Sequence, residues 1–397
     1  MRILFCNYEY PPLGGGGGVI NALLAEEMAK HHEVTVLTSQ GRELPPVTLE
    51  KGVRVVRAPV FFRKQDAVAS LVSMLSFLPM GVRTGKELLR RNEFDVINTH
   101  FVLPTGPVGD ALSRFAGIPN VLSLHGGDLY DPSKWTSPHR HPALRGWIRR
   151  LLKRSNRIVV QSSNTLGNLH RFYDPEIESV QIPLAINRPR IGAALRGEYG
   201  LKRGEVLFVT VGRLVARKAI DQLIILMESL REQSTRLLIL GEGPLASSLK
   251  EESLKRNLGD RILFLGHVQE DEKFRILQMA DVYVSTSQHE GFGLVFLEAM
   301  ASGLPIVCYD HGGQTDFLRN QDTGFVVPLN NQVVFREACA LLIRNSGMRK
   351  AIGETNRIRV EEFYIDRCAL KYENVFSEVV EPGVIRTPAG GFHSRTA

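Results

Sequence analysis

Cysteine is scarce: four in 397 residues, at Cys6, Cys308, Cys339 and Cys368, far apart and without metal-ligand spacing. That excludes a disulfide scaffold, and the four read as reduced thiols of a cytoplasmic protein. No apolar run reaches about 18–20 residues, so no membrane-spanning helix is expected. The opening apolar stretch, Ile3–Cys6, is cut off by Asn7 and Glu9, too soon for a secretion signal. No Asp-x-Asp occurs, which removes the commonest carboxylate pair for seating a divalent ion on phosphates. No basic stripe is interleaved with aromatics, so no nucleic-acid-binding module is expected.

What is present is the composition of a globular protein, 43% apolar and 23% charged. The length exceeds one ordinary α/β core and suits two. The net charge of +7 is uneven: residues 1–190 hold 24 Lys+Arg against 16 Asp+Glu, and the remainder is nearly balanced. A basic half points to a partner that carries phosphates, such as an anionic membrane or a phosphorylated acceptor.

Short apolar runs alternate with helical patterns, which predicts parallel sheets covered on both faces. In the first half the strands are expected at Ile3–Asn7, Val34–Thr38, Val53–Arg57, Val96–Thr99, Val121–Leu124 and Ile158–Gln161. Helices are expected at Val19–Lys30, Ser70–Arg91 and Leu144–Arg154. Pro183 and Pro189 break this rhythm, and it restarts at Val206. The second half offers strands at Val206–Val211, Leu237–Leu240, Ile262–Leu265, Val282–Ser285, Ile306–Cys308 and Gly324–Val327. The expected division is a first Rossmann-like domain over 1–185, a linker over 186–204 and a second over 205–365. A final helix over 366–380 would return to the first domain, followed by a disordered tail over 381–397. Two doubly wound domains would face each other across a cleft, with ligands at the carboxyl ends of the strands.

The sharpest motif is Glu290-Gly291-Phe292-Gly293-Leu294, leading into a helix that carries Glu298. Gly291 and Gly293 bare the backbone N–H groups at a helix N-terminus, a setting for a phosphate or a sugar hydroxyl. Glu298 is placed to accept hydrogen bonds from a ribose diol, and Glu290 to hold a transferred sugar or steady its charge. The second motif, Gly212-Arg213-Leu214 with Lys218, follows the first strand of the second half. Arg213 offers a planar fork and Lys218 a point charge, enough to neutralise a diphosphate without a metal.

Together the two motifs resemble the retaining glycosyltransferases of family 4, with the E-x7-E element at Glu290 and Glu298 and the G-R-L-x-x-x-K element at Gly212–Lys218. Ala219 stands where that family usually has Gly, and Asp316 where Glu is common. Tyr10–Leu13 with its glycine run, Leu240–Pro244, Asp281, Gly303, Pro305 and Gly312-Gly313 also fit the family pattern. The resemblance implies the GT-B fold and transfer of a hexose-type unit from a UDP- or GDP-sugar with retained configuration. No further cofactor and no metal are expected. Gly15 and Gly16 would let the chain approach the donor, and His125, in His-Gly-Gly-Asp128, would lie beside the transferred sugar. Catalytic roles thus fall on His125, Glu290, Arg213 and Lys218. Donor binding falls on Gly15, Gly16, Arg213, Lys218, Glu290, Gly291, Phe292, Gly293, Leu294 and Glu298. His100 is a weaker candidate, and His139 and His141 read as a solvated loop.

Two stretches suggest a lipid-linked or cell-envelope glycan acceptor at the inner face of a membrane. Residues 145–154 form a basic amphipathic helix, and Ala67–Met80 is apolar between clusters of Arg and Lys. Weak association with an anionic membrane is the expectation. The alternative reading is a non-catalytic regulatory protein that binds a sugar nucleotide.

Overall fold

The strands form where β-branched and aliphatic runs are too short for helices, and nearly all are buried on both faces. In the computed structural model, which describes residues 1–41, 43–63, 70–132, 134–190, 192 and 196–381, the chain forms two compact units. One comprises Met1–Leu184 with the segment from Ile365 onward, the other Ala185–Tyr364.

The first unit runs β1 (Arg2–Cys6), α1 (Gly16–Met28), β2 (Glu33–Ser39), β3 (Val47–Glu50), β4 (Val53–Ala58), α2 (Leu71–Arg91) and β5 (Val96–His100). It continues with α3 (Gly106–Ala116), β6 (Asn120–Leu124), α4 (Pro142–Arg154), β7 (Arg157–Val160), α5 (Ser163–Phe172) and β8 (Val180–Gln181). The sheet order is β3-β4-β2-β1-β5-β6-β7-β8, parallel except for the β3–β4 edge pair. Its order reverses between β1 and β5, the switch point where such sheets take ligands at their strand ends.

Two apolar clusters lie side by side along one face of this sheet. One gathers Leu4, Cys6, Phe77, Ile97, Val108 and Leu112. The other packs Leu122, Leu124, Ile148, Leu151, Ile158 and Leu169.

The second unit runs β9 (Val206–Val211), α6 (Ile220–Ser229), β10 (Thr235–Leu240), α7 (Ala246–Lys255), β11 (Ile262–Gly266), α8 (Glu270–Met279) and β12 (Val282–Ser285). Then come α9 (Leu294–Ala301), β13 (Ile306–Tyr309), β14 (Gly324–Val327), α10 (Gln332–Arg344) and α11 (Ser346–Arg359). The order β11-β10-β9-β12-β13-β14 is wholly parallel and reverses between β9 and β12. Both chemistry-bearing motifs leave from the carboxyl ends of those two strands.

The segment that follows Ala185 stays with the second unit: Ile186 N–H donates to Phe363 O at 3.0 Å, and Arg188 lies 4.1 Å over Tyr364. The last helix, α12 (Ile365–Val380), belongs to the first unit, where Phe376 meets Phe5 edge-on at 6.4 Å and Tyr372 donates to Ser123 Oγ at 3.1 Å. Residues 382–397 of the expected tail lie outside the described residues. Among the described residues, no helix is long and apolar enough to cross a membrane.

Helix α4 spends its apolar face on the core, through Ile148, Leu151 and Leu152. Its outer cations are held locally: Arg149 and Lys153 both meet Asp174, at 2.9 and 3.0 Å, and Arg154 meets Asp110 at 3.4 Å. It is therefore a sheet-covering helix with a charged outer face. The other stretch differs. Leu71, Val72 and Leu75 at the start of α2 are exposed, as are Phe61 and Phe62 before it. Residues 67–69 of that stretch lie outside the described residues.

Candidate functional site

The site of the second unit is built from two loops tied together. β9 ends at Val211, and Gly212 turns the chain into a short 3-10 helix, Ala216–Lys218. The loop after β12 grips that turn: Thr286 Oγ1 donates to Ala219 O at 2.8 Å, and Gln288 N–H donates to Arg217 O at 2.8 Å. The two switch-point loops therefore hold each other in register.

Glu290 sits at their junction, only 7% exposed. Lys218 Nζ donates to its Oε1, Ser287 Oγ donates to the same oxygen at 2.7 Å, and Arg217 lies 3.3 Å from Oε2. Arg217 also donates to the carbonyl of His289. Burial by itself would push the Glu290 carboxyl up and disfavour its charged form. The charges of Lys218 and Arg217 and the bonds from Lys218 and Ser287 outweigh it, and the carboxyl falls to about 2. Glu290 is thus a fixed anion clamped by two cations.

Behind it runs the glycine pair. Gly313 N–H donates to Glu290 O at 2.9 Å, and a Cβ on Gly312, at φ +130°, would stand 2.3 Å from that same oxygen. Only glycine lets the two backbones meet this closely. Gly293, at φ +96°, turns the chain into α9, whose N-terminus has no side-chain cap. Its first N–H groups are left to whatever binds there. Phe292 is buried and tilts against Phe317 at 5.1 Å, fixing the loop from below.

Glu298 lies one turn into α9 and is 9% exposed. Lys273 Nζ, from α8, donates to its Oε1 at 2.8 Å and to Glu270 at 2.8 Å. Oε2 of Glu298 is buried with no partner. Burial pushes this carboxyl up, with Lys273 opposing. An orphaned carboxylate oxygen is expensive and awaits a donor. Arg213 points the other way from this economy: its side chain is exposed and makes no hydrogen bond or ion pair within the described residues.

The structure thus brings Lys218, Glu290, Gly291, Phe292, Gly293, Leu294 and Glu298 onto one pair of loops and the helix they feed. Three functional neighbours escaped the sequence reading. Arg217 stood in the basic run and was readable there. Ser287, three residues before Glu290 in the same loop, was within reach of the motif but carried no distinctive signal, and Lys273 carried none because only the fold puts α8 beside α9.

The remaining candidates lie in the first unit. Gly15 and Gly16 open α1, exposed, and Gly15 N–H donates to Glu9 Oε2 at 3.1 Å. Gly17 lies against the Phe101 ring, which stacks on His125 at 4.3 Å. His125 is 9% exposed; its N–H donates to Asp128 Oδ1 at 3.0 Å, and its carbonyl accepts from Gln161 at 2.7 Å. Burial lowers its imidazole to about 4, so the ring is neutral at ordinary pH. Asp128 also accepts from Val102 N–H at 2.8 Å, and burial pushes its carboxyl up to about 6 against those bonds. His139 and His141, expected on a solvated loop, are half-buried before α4: His139, in the 3-10 turn Pro138–Arg140, packs on Tyr130 at 4.6 Å and Phe172 at 5.1 Å, and His141 meets Trp135 edge-on at 5.1 Å. Among the described residues, no cluster of three His, Cys, Asp or Glu side chains could hold a metal ion.

Two doubly wound units, one carrying a clamped glutamate beside a cationic turn at its switch point, define the GT-B fold. Family profiles cover most of the chain: residues 14–188 match "Glycosyltransferase Family 4" and residues 193–359 match "Glycosyl transferases group 1". The chain belongs to this glycosyltransferase family. It is 24% identical to the N-acetyl-alpha-D-glucosaminyl L-malate synthase of Bacillus anthracis, over 94% of this chain and 96% of that one. The sucrose-phosphate synthase of Thermosynechococcus elongatus superposes with a TM-score of 0.83 at 22% identity, covering 96% of this chain and 100% of that one. Anabaena Alr3699/HepE in complex with UDP-glucose superposes at 0.73 and 19% identity, covering 95% and 100%.

Proposed function

We propose that this glycosyltransferase moves a hexose-type sugar from a UDP- or GDP-sugar to an acceptor, with retained anomeric configuration and without a metal. The observation that carries this reading is the charge balance of the loop pair. Lys218 and Arg217 pair with a single ionised carboxylate, Glu290, and Arg213 on the same turn is unpaired, so the turn carries two positive charges in excess for a diphosphate. The uncapped N-terminus of α9 adds its dipole. A metal ion would be redundant beside that charge.

The orphaned Oε2 of Glu298 suits a ribose hydroxyl, which would supply the missing donor. Glu290 would fix the sugar from this loop pair, and His125 is the first unit's own candidate for a sugar contact. The acceptor oxygen attacks the anomeric carbon on the face from which the diphosphate leaves. The C–O bond to the diphosphate breaks, the new glycosidic bond forms, and the acceptor's proton passes to the departing phosphate oxygen. Arg213 and Lys218 stabilise the charge that builds there. UDP-glucose bound to a protein of the same fold supports the donor class.

For the acceptor, the exposed Phe61, Phe62, Leu71, Val72 and Leu75 favour a lipid-linked substrate. Basic Arg83, Lys86 and Arg90 lie further along α2, which suits an anionic membrane surface. Flotation with anionic liposomes at low salt is the check; no binding there removes the lipid reading.

The reaction is tested by following slow donor hydrolysis by proton NMR in the presence of EDTA. The first-formed free sugar is expected with the donor's anomeric configuration. An inverted product overturns the stereochemical reading, and absence of turnover with every UDP- and GDP-sugar favours a regulatory sugar-nucleotide binder.

A further inference from the structure

A chain of buried polar groups runs across one face of the first unit's sheet and ends at His125. Residues two apart on a strand share a face. Asn98 and His100 therefore point together from β5, and Ser123, which is paired in register with His100, shares its face with His125 just past β6. Asn98, His100 and Ser123 are essentially inaccessible.

The hydrogen bonds fix a direction along this chain. Asn98 Nδ2 donates to Val121 O at 3.1 Å and to Ser123 Oγ at 3.0 Å. A backbone carbonyl only accepts, so the amide is oriented with Oδ1 towards His100. His100 Nε2 lies 2.7 Å from that oxygen, so it must carry the proton. His100 is held neutral by its burial and by the neighbouring His125 ring. Its Nδ1 is then bare and must accept across the 2.9 Å to His125 Nε2. His125 therefore carries its proton on Nε2, and its Nδ1 is a lone-pair acceptor, buried and without a partner. Reversing any link sets two lone pairs against each other at hydrogen-bond distance. The rings are also fixed in orientation: His100 stacks between Phe5 at 5.8 Å and Tyr372 at 6.3 Å, and His125 stacks on Phe101.

We propose that Asn98 and His100 are positioning residues that lock His125 in the Nε2–H tautomer, so that its Nδ1 accepts a hydroxyl proton from the donor sugar. The sugar contact rests on the donor reading above; the tautomer lock does not. The glycine run meets His125 through Phe101, which Gly17 touches, and this places the orphaned acceptor beside the loop expected to approach the donor. A ring fixed this way recognises a group that can give a proton. It rejects an acceptor-only group such as a fluorine or a carboxylate, because nothing on Nδ1 can donate.

The test is a long-range proton–nitrogen correlation spectrum of the full chain labelled with nitrogen-15 histidine, at pH 7. The His125 signals are identified by their loss in His125→Gln. The expected pattern for both rings is a protonated, pyrrole-like Nε2 and a bare, pyridine-like Nδ1. A protonated Nδ1 on His125 overturns the proposal. Asn98→Leu should give mixed tautomers and lower kcat/KM for the donor by about tenfold or more. If Asn98→Leu folds and His125 remains purely Nε2–H, the lock is refuted; if it does not fold, the wild-type spectrum still decides. Addition of UDP-glucose should move the His125 Nδ1 signal where UDP does not. A bound UDP-glucose that leaves it unmoved refutes the sugar contact. If no sugar nucleotide binds at all, the donor reading falls while the tautomer result stands.

Discussion

Replacing Lys218 by methionine keeps most of the side chain's volume and removes one of two cations from a buried carboxylate. Glu290 ionises at about 2 instead of its ordinary 4.5. That difference corresponds to about 3 kcal/mol in favour of the charged, folded form. Lys218 is the largest of the favourable contributors, ahead of Arg217, so its removal should take about 2 kcal/mol of that stabilisation. A loss of this size lowers the melting of a unit of this length by about 4–8 °C. Both tryptophans, Trp135 and Trp147, lie in the first unit, so tryptophan fluorescence is blind to the change. Calorimetry, which sees both units, is the assay. The sign with pH follows from the lowered carboxyl: its stabilisation is present above about 4.5 and is lost as pH falls through about 2. The deficit of Lys218→Met should therefore be full at pH 7 and shrink towards pH 3. Adding Glu290→Gln should restore more than half of the lost stability, because the unpaired buried charge is gone. A deficit that does not change with pH, or a double variant as unstable as the summed singles, refutes the clamp.

Three further outcomes are expected. Ala219 sits at φ 45°, ψ 46°, in the left-handed region, so Ala219→Gly should be neutral or slightly stabilising, within about 0.5 kcal/mol; a loss of about 1 kcal/mol by calorimetry contradicts this. Gly312→Ala should drive the Glu290 loop out of place and cut kcat/KM about tenfold or more, and wild-type kinetics in a folded variant would remove the backing role of Gly312. Burial raises the Asp128 carboxyl to about 6 and lowers the His125 imidazole to about 4, so as pH rises from about 4 through 6 Asp128 costs the first unit stability while His125 returns it, and the two oppose. Removing the Asp128 contribution with Asp128→Asn should therefore make the first unit's stability climb with pH relative to wild type, by about 3 kcal/mol across that range in tryptophan fluorescence melts; an unchanged difference between the two proteins contradicts this.

Much of the fold was legible because parallel strands buried on both faces are plain apolar runs. Val206–Val211, Val282–Ser285 and Gly324–Val327 coincide with their sequence ranges, and the Glu290 motif does lead into a helix that carries Glu298. Elements that hide their pattern were missed. α3 opens with Gly106-Pro107 and reads as a loop, although Pro suits the first helical turn. α5 opens with Ser-Asn-Thr, and its start is set by Ser162 capping the Thr165 N–H at 3.1 Å. β3 is an antiparallel edge strand, half exposed and short, after Pro45-Pro46. In the site, the two motifs were visible as spacing along one chain. Lys273 was not, because its pairing with Glu298 depends on how α8 packs on α9, and the tautomer of His125 is set by Asn98 through a neighbouring strand.

The central claim is a diphosphate site that needs charge and not metal. Isothermal titration of the full chain with UDP, GDP and their glucose and mannose conjugates, in EDTA, tests it most directly. One nucleotide series should bind, and Glu298→Gln, whose amide nitrogen cannot accept from a ribose hydroxyl, should weaken that binding about tenfold. Binding that appears only with an added divalent ion, or that Glu298→Gln and Lys218→Met leave unchanged, would contradict the account.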